Sequence, residues 1–205
     1  MKINDLKLIL KANLGYLFLC FLIVVGTAAR DYSVEYFRNK EWSFTTLNRD
    51  SERNQMINKD ISDLRAKIDA ENITIYLFHN GGFFSSGVPY RKKSSAYESN
   101  ASINSRAYNY DNIALSQVSE LIGKLVESPD CFFVKTDDIK ASQWKLMLLS
   151  NNYKSNYYKR IQFGDKMIGY MRASFSQDVS ENVKIEKEID YYESRISTFL
   201  SENIE

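Results

Sequence analysis

The feature that most constrains this chain is an uninterrupted run without charge from Ala12 to Ala29, flanked by Lys11 and Arg30. Crossing a hydrocarbon core about 30 Å thick takes roughly 20 apolar residues, and spans of about 17 are tolerated. The 18 residues of the run therefore just reach the necessary length. The sequence predicts one transmembrane helix at residues 12–29, with the lipid bilayer as its partner.

A cleaved secretory signal peptide is the alternative interpretation, because Thr27 and Ala29 supply small residues near the end of the run. The 11 residues before the run are long for the leading segment of a signal peptide, and they include Asp5. Apolar residues recur there at helical spacing among lysines, as in helices that lie on a membrane surface. Residues 1–11 are therefore predicted to form an amphipathic segment before an uncleaved anchor.

The basic residues on the two sides of the run are nearly balanced. Lys2, Lys7 and Lys11 precede it, while Arg30, Arg38 and Lys40 follow it closely. The positive-inside rule therefore does not clearly favour either orientation of the span in the membrane. The short N-terminal side and the long C-terminal part favour an N-in, C-out orientation.

About 175 residues follow the run, enough for one domain and a connecting helix. With 27 basic and 26 acidic side chains, the net charge is +1. A chain so nearly neutral has no strong positive field to attract nucleic acid, so nucleic-acid binding is not expected. Cys20 lies in the predicted span and Cys131 in a later apolar stretch, which predicts no internal disulfide and a buried Cys131.

Residues 30–70 contain neither glycine nor proline and predict a connecting helix. Four apolar positions in it share one face: Ile57, Ile61, Leu64 and Ile68. The β-branched and aromatic stretch Ile73–Phe78 predicts a buried strand. The residues that follow, His79, Asn80, Gly81 and Gly82, predict a tight turn or the edge of a pocket.

The remaining segments alternate between strand and helix signals. They predict a short strand near residues 94–98 and an amphipathic helix from Asp111 with a stripe of Ile113, Val118, Leu121, Ile122 and Leu125. They then predict a strand at 131–135, a short helix around Trp144, and a hairpin of strands 157–163 and 166–175 about Gly164 and Asp165. The last prediction is a long helix from Val179 to Glu205 with a single apolar seam of Ile185, Ile189, Tyr192, Ile196 and Phe199. This order predicts an α+β fold in which an antiparallel sheet is flanked by helices.

Two features of this part resemble GAF domains and their PAS-like relatives: the strand that ends in Phe-His-Asn-Gly-Gly at Phe78–Gly82, and the terminal hairpin followed by a long helix. The resemblance covers residues 58–205 and implies a GAF/PAS-like soluble domain at residues 71–205. Such domains bind small ligands in some proteins and none in others.

Enzymatic chemistry and metal binding are not expected. His79 is the only histidine, and no G-x-S-x-G motif is present. Histidine, cysteine and acidic residues do not occur at metal-ligand spacing. Asp137 and Asp138 are interpreted as a helix cap, and Arg91–Lys93 as a solvated loop that could in principle hold an anion. The sequence predicts no catalytic residue, cofactor or metal.

The layout of the whole chain resembles the T-type (class III) phage holins. The matching parts are the span Ala12–Ala29, the segment Arg30–Lys40 outside it, and the terminal hairpin with its helix. The resemblance implies a protein of the bacterial inner membrane whose C-terminal domain lies in the periplasm. It also implies self-association into lesions that permit host cell lysis, timed by an antiholin-type regulator bound to the soluble domain.

Small residues occupy both ends of one face of the predicted span: Ala12, Gly15, Gly26 and Ala29. Such residues let transmembrane helices approach closely, so this face is a predicted surface for self-association. The alternative function is a membrane-tethered GAF-like ligand-binding or signalling module.

Overall fold

The computed structural model describes residues 23–27, 30, 44–83, 89–101, 112–140 and 142–201. The chain divides into two compact units, Met1–Glu52 and Arg53–Glu205. In the first unit, residues 23–27 are helical, and the Thr27 hydroxyl donates to the carbonyl oxygens of Ile23 and Val24 at 3.0 and 2.9 Å. No helix within the described ranges is long and apolar enough to span a bilayer. Residues 1–22, 28 and 29, and with them Ala12, Gly15 and Ala29, lie outside these ranges.

From residue 44 onward the described elements are a long helix, then strands that alternate with short helices, and a second long helix at the end. They are α1 (Phe44–Ile68), β1 (Asn72–Phe83), β2 (Pro89–Asn100), β3 (Ile113–Ala114), a 3-10 turn (Leu115–Val118), α2 (Ser119–Glu127), β4 (Phe132–Lys135), a 3-10 turn (Thr136–Asp138), α3 (Gln143–Ser150), β5 (Ser155–Phe163), β6 (Lys166–Phe175) and α4 (Val183–Ser201).

The strands form a six-stranded sheet in the order β3-β2-β1-β6-β5-β4, and every neighbouring pair is antiparallel. The first and last long strands, β1 and β6, are therefore adjacent at the centre. Helices cover both faces of the sheet. The predicted α+β class, an antiparallel sheet flanked by helices, is confirmed.

One face of the sheet packs against α1 and α4 in an apolar core. The four predicted positions of α1 are all buried, and α4 contributes Ile189, Tyr192 and Ile196. Between the helices, Arg195 Nη2 lies 3.0 Å from Asp60 Oδ1. The spacing of apolar residues therefore predicted correctly which faces of these two helices are buried.

The opposite face packs against α2, α3 and the 3-10 turn before α2. Large aromatic side chains from the strands meet the helices here: Tyr76, Tyr158 and Tyr170 from the sheet, with Leu121, Leu125, Trp144 and Leu148 from the helices. The domain thus has two separate cores, and the second is rich in tyrosine.

The predicted turn at His79–Gly82 is wrong. Strand β1 continues through these residues to Phe83 and pairs with β2, with His79 opposite Lys92 and Phe83 opposite Pro89. The register shifts between Asn80 and Gly82, which marks a β-bulge. Glycine allows the backbone of either a turn or a bulge, so the local sequence did not distinguish them.

The basic residues Arg91–Lys93 lie within β2 and not in a solvated loop, because this strand is 12 residues long. The helix predicted from Asp111 begins only at Ser119, after β3 and a 3-10 turn. The helix predicted from Val179 begins at Val183. The first two differences reflect strand pairing, of β2 with β1 and of β3 with β2. In the third, the amides of Val179 and Asn182 donate to the side-chain hydroxyls of Ser155 and Tyr157 on β5.

The predicted capping role of Asp137 and Asp138 is also wrong. These residues form a 3-10 turn, and the cap of α3 is Ser142, whose hydroxyl accepts from the Lys145 amide at 3.3 Å. Cys131 is half-buried beside the apolar core, and this burial raises the pKa of its thiol.

Candidate functional site

The second face of the sheet carries polar and charged side chains inside the fold. Side chains alternate between faces along a strand. On β6, Met171 and Ala173 join the apolar core, while Tyr170, Arg172 and Ser174 point to the other side. All of these residues are buried, so the polar groups of this face must find partners within the protein.

A buried hydrogen-bond network holds Arg172. Its Nη2 donates to Asn72 Oδ1 at 3.2 Å and to Thr74 Oγ1 at 3.4 Å, both on β1. The Thr74 hydroxyl in turn donates to Asn72 Oδ1 at 2.7 Å. Within the described part of the chain, Arg172 Nε has no hydrogen-bond partner. The guanidinium is therefore fixed at one nitrogen and retains an unsatisfied donor at another.

Lys93 brings a second cation to the same face from β2. Its side chain is buried, with 3% of the residue exposed. Its Nζ donates to the Tyr170 hydroxyl oxygen at 2.6 Å and lies 3.9 Å from the centre of the Tyr76 ring. Burial, followed by the positive charge of Arg172, lowers the pKa of Lys93 well below its ordinary value.

Aromatic rings surround the two cations. Tyr76 and Tyr170 are stacked with ring centres 4.9 Å apart, and Trp144 Nε1 donates to the Tyr158 hydroxyl oxygen at 2.9 Å. Burial raises the pKa of Tyr158 and of Tyr170, so both phenols keep their protons. The rings are neutral groups that present π faces and hydroxyls to the cations.

These side chains enclose a cavity of about 10 Å³, which is room for about one water molecule. Strand residues form its floor and helix residues its cover. The complete lining is Tyr76, Lys93, Leu121, Trp144, Met147, Tyr158, Tyr170 and Arg172.

No carboxylate among the described residues forms an ion pair with either buried cation. The ion pairs there join Lys67 to Glu188, Lys135 to Asp178, Lys159 to Asp190 and Arg195 to Asp60. The cavity therefore holds two basic groups whose countercharge no described side chain supplies.

The predicted site residues lie elsewhere. His79 is half-buried on β1, with Nε2 2.9 Å from the Ser94 hydroxyl oxygen on β2. The Asn112 amide donates to the same Ser94 oxygen at 3.0 Å, so Ser94 links β1 and β2 to the residue before β3. Asn80, Gly81 and Gly82 form the bulged part of β1. None of the four predicted residues lines the cavity.

Gly26 belongs to the first unit, where a Cβ added to it would meet nothing within 4 Å. The other three residues of the predicted association face are outside the described ranges. Sequence reasoning missed the cavity residues Tyr76, Trp144 and Arg172. One sequence feature could have indicated the cavity: Arg172 lies in the apolar part of the predicted strand 166–175, where a charged residue has to be placed inside the fold.

No protein-family model matches the chain. No curated protein matches it in sequence either. Solved structures, in contrast, match most of the domain, although their sequence identities are low. None of these comparisons supports the predicted relation to phage holins.

A phycocyanobilin-bound GAF domain from a cyanobacterial phytochrome matches with a TM-score of 0.61 and 16% identity, covering 77% of this chain and 90% of that one. A phycoerythrobilin-bound GAF domain from a cyanobacterial phytochrome gives 0.59 and 14%, covering 73% and 86%. A GAF domain/HD domain protein from Geobacter sulfurreducens gives 0.55 and 14%, covering 73% and 92%. This chain therefore contains a domain of GAF-like fold.

Proposed function

We propose that this chain is a non-enzymatic, membrane-tethered module that binds a small ligand in its GAF-like domain and signals through its helices. The observation that carries the proposal is the buried cavity between the sheet and helices α2 and α3, with its two cations and its aromatic lining. Residues 12–29 are the proposed tether, and the bacterial inner membrane is its proposed location.

A structural core has no need of such a lining. Burying a charge without a countercharge is costly, and apolar residues of similar volume would pack the same space at lower cost. Buried polar groups with perturbed pKa values are typical of functional sites. The apolar core beneath α1 and α4 shows that this chain can fill the other face of the sheet conventionally.

The similar structures support the ligand-binding part of the proposal, since two of them are GAF domains with a bilin bound. The ligand of this chain is expected to be smaller. The closed cavity admits about one water molecule, and further room depends on movement of the helix side chains Leu121, Trp144 and Met147.

Strand β6 offers a route for the signal. Arg172 lies at the cavity, whereas its neighbours Met171 and Ala173 pack in the core formed with α1 and α4. A ligand that displaces Arg172 would also shift these neighbours, because packed cores transmit strain. Helix α1 begins after the segment that follows the proposed tether, so it is the proposed output element.

Binding is tested with the purified full chain in mild detergent. A library of small metabolites is screened for compounds that raise the unfolding temperature in proportion to concentration, as a ligand of the native state does. Trp144 fluorescence in a Trp42→Phe background provides a second readout at the cavity.

Two matched variants in α2 locate the binding site. Leu121→Trp fills the cavity from its cover and should abolish the response, whereas Val126→Trp on the exposed side of the same helix, where 63% of the residue is exposed, should preserve it. A folded wild-type chain that responds to no compound, or a response that Leu121→Trp leaves intact, would contradict the proposal.

A holin-like function is a second candidate, favoured by the uncharged run and by the small residues on one face of the predicted span. It would involve self-association and an antiholin-type regulator. Inducible expression in bacteria separates the two functions: a holin causes an abrupt loss of membrane potential at a defined time, which Gly15→Leu with Gly26→Leu should delay. Steady growth with the protein inserted in the membrane would exclude the holin.

A further inference from the structure

The two buried cations of the GAF-like domain occupy the same small space. Lys93 Nζ lies 3.9 Å from the centre of the Tyr76 ring, and Arg172 Cζ lies 5.3 Å from it. Arg172 is 5% exposed and stays protonated at any ordinary pH, because the guanidinium is a very weak acid. At least one full positive charge is therefore enclosed within the fold.

The surroundings compensate this charge only in part. Tyrosine π faces attract cations, but a ring quadrupole does not equal a countercharge. The direct hydrogen-bond partners of Arg172 are the neutral groups of Asn72 and Thr74, and the Glu98 carboxylate joins this network only through the Asn72 side-chain amide, which donates to it at 2.7 Å. The unpaired buried charge of Arg172 opposes folding, and together with burial it disfavours a second positive charge on Lys93; a bound anion would relieve both effects.

The donors that face the cavity suit an oxyanion. The guanidinium is oriented by its bonds to Asn72 and Thr74 and has an unsatisfied donor at Nε. The Lys93 ammonium carries three donors, of which one bonds to Tyr170. Arginine with lysine is the donor set that recognises carboxylate and phosphate groups.

We infer that the ligand of this cavity is a small oxyanion, a carboxylate or phosphate group held between Lys93 and Arg172. The inference rests on the proposed ligand-binding function, because it names the ligand class of the same site. Such a group is larger than one water molecule, so it enters when the cover moves. Met147, an unbranched and flexible side chain, is the cover residue best suited to give way.

Binding of the anion is coupled to a proton. The groups facing Lys93 that can carry charge are Arg172 and the hydroxyls of Tyr76, Tyr158 and Tyr170, while α2 and α3 present residues that do not titrate. Tyr158 and Tyr170 keep their protons, and the bound anion restores the charge on Lys93. Affinity should therefore be higher at pH 6 than at pH 9, with net proton uptake on binding.

The experiment titrates the full chain with sodium phosphate and with sodium acetate as separate probes, at constant ionic strength, and uses acetamide as the uncharged match for acetate. Trp144 fluorescence in the Trp42→Phe background and calorimetry in two buffers of different ionisation enthalpy report binding and proton uptake. Saturable binding of one oxyanion without binding of acetamide is expected, and the probe that binds identifies carboxylate or phosphate.

Lys93→Met and Arg172→Met should each weaken binding at least tenfold, since each removes a charge-assisted hydrogen bond. Arg91→Met, at an exposed position on the same strand, removes one positive charge outside the cavity and should leave affinity unchanged. Circular dichroism checks that each variant is folded. If Arg172→Met is unfolded, the decision rests on Lys93→Met and on the proton uptake of the wild-type protein.

The outcomes separate this inference from the proposed function. Uncharged metabolites could bind the wild type and not Leu121→Trp, while neither oxyanion binds. In that case the ligand-binding function stands and the inference that the ligand is an oxyanion is refuted. If Lys93→Met and Arg172→Met bind the oxyanion as tightly as Arg91→Met does, the site is refuted. If no compound of any charge binds the folded chain, both proposals fail.

Discussion

The buried cations show how much a single residue's position in a sheet decides. Lys93 and its neighbours Arg91 and Lys92 are consecutive basic residues, yet Lys93 is buried while Arg91 is exposed. Successive side chains point to opposite faces, so Lys92 and Lys93 lie on opposite sides of β2. Arg91 shares the side of Lys93 but lies nearer the start of the strand, opposite Asn80, where it is exposed. Interpreting the three residues as a loop removed that information, so the sequence predicted a solvated cluster where the fold has a buried site.

The lowered pKa of Lys93 predicts a specific dependence of stability on pH. Lysine has an ordinary pKa near 10.5, and the unfolded chain therefore binds more protons than the native protein between the lowered native pKa and pH 10.5. Within this window the free energy of unfolding of the wild type should rise with pH relative to Lys93→Met, by up to about 1.4 kcal/mol per pH unit.

Denaturant titrations of the ligand-free protein at pH 7, 8, 9 and 10 measure this difference. Arg91→Met serves as the control and should follow the wild type at each pH. Parallel curves for the wild type and Lys93→Met would show that Lys93 keeps its ordinary pKa in the native state.

At the scale of elements, periodicity succeeded where a helix or strand faces one uniform environment. The stripes of α1 and α4 were predicted because a surface helix must bury its apolar face. The predicted β5–β6 hairpin is also confirmed, with Gly164 at φ 58° in its turn. The bounds of β1 and β2 were not predicted, because the two glycines at 81 and 82 are compatible with a turn as well as with a strand, and only the pairing of residues 80–83 with residues 89–91 distinguishes the two.

Helix α1 provides a prediction about core packing. Ile61 is completely buried in the core beneath α1 and α4, so Ile61→Ala should lower the free energy of unfolding by about 2–5 kcal/mol through lost burial and a residual cavity. Met56→Ala at an exposed position of the same helix should change it by less than about 0.5 kcal/mol. Urea denaturation followed by circular dichroism measures both, and equal effects would mean that this face of α1 does not pack as described.

Two glycines provide a matched pair of predictions about backbone approach. A Cβ at Gly169 on β6 would clash with the Tyr76 carbonyl oxygen on β1, so Gly169→Ala should separate β6 from β1 and cost more than about 2 kcal/mol. A Cβ at Gly123 in α2 would meet nothing within 4 Å, and Gly123→Ala should stabilise the protein by about 0.5–1 kcal/mol through helix propensity. Thermal unfolding of both variants checks the opposite signs, and a Gly169→Ala variant as stable as the wild type would contradict the close approach of these strands.

At the scale of the whole molecule, the proposed tether can be tested independently of the GAF-like domain. Residues 12–29 are expected to hold the full chain in the membrane fraction of expressing bacteria after a carbonate wash. Leu19→Arg with Leu22→Arg should release it, because each arginine near the centre of a span costs about 2.5–3.5 kcal/mol in insertion. Val24→Leu, an apolar change within the same run, is the control. Retention of the double arginine variant in washed membranes would contradict a tether at these residues.

The sequence by itself determined the class of fold and the buried faces of α1 and α4, because hydrophobic periodicity acts within one element and is visible locally. It also determined the uncharged run, which is a property of composition over 18 consecutive residues. The tertiary structure decided where the candidate site lies. Lys93 and Arg172 are 79 positions apart in the numbering and meet over one tyrosine ring only because β2, β1 and β6 are neighbours in the sheet. Strand order is set by long-range pairing, and long-range pairing is what local pattern does not contain.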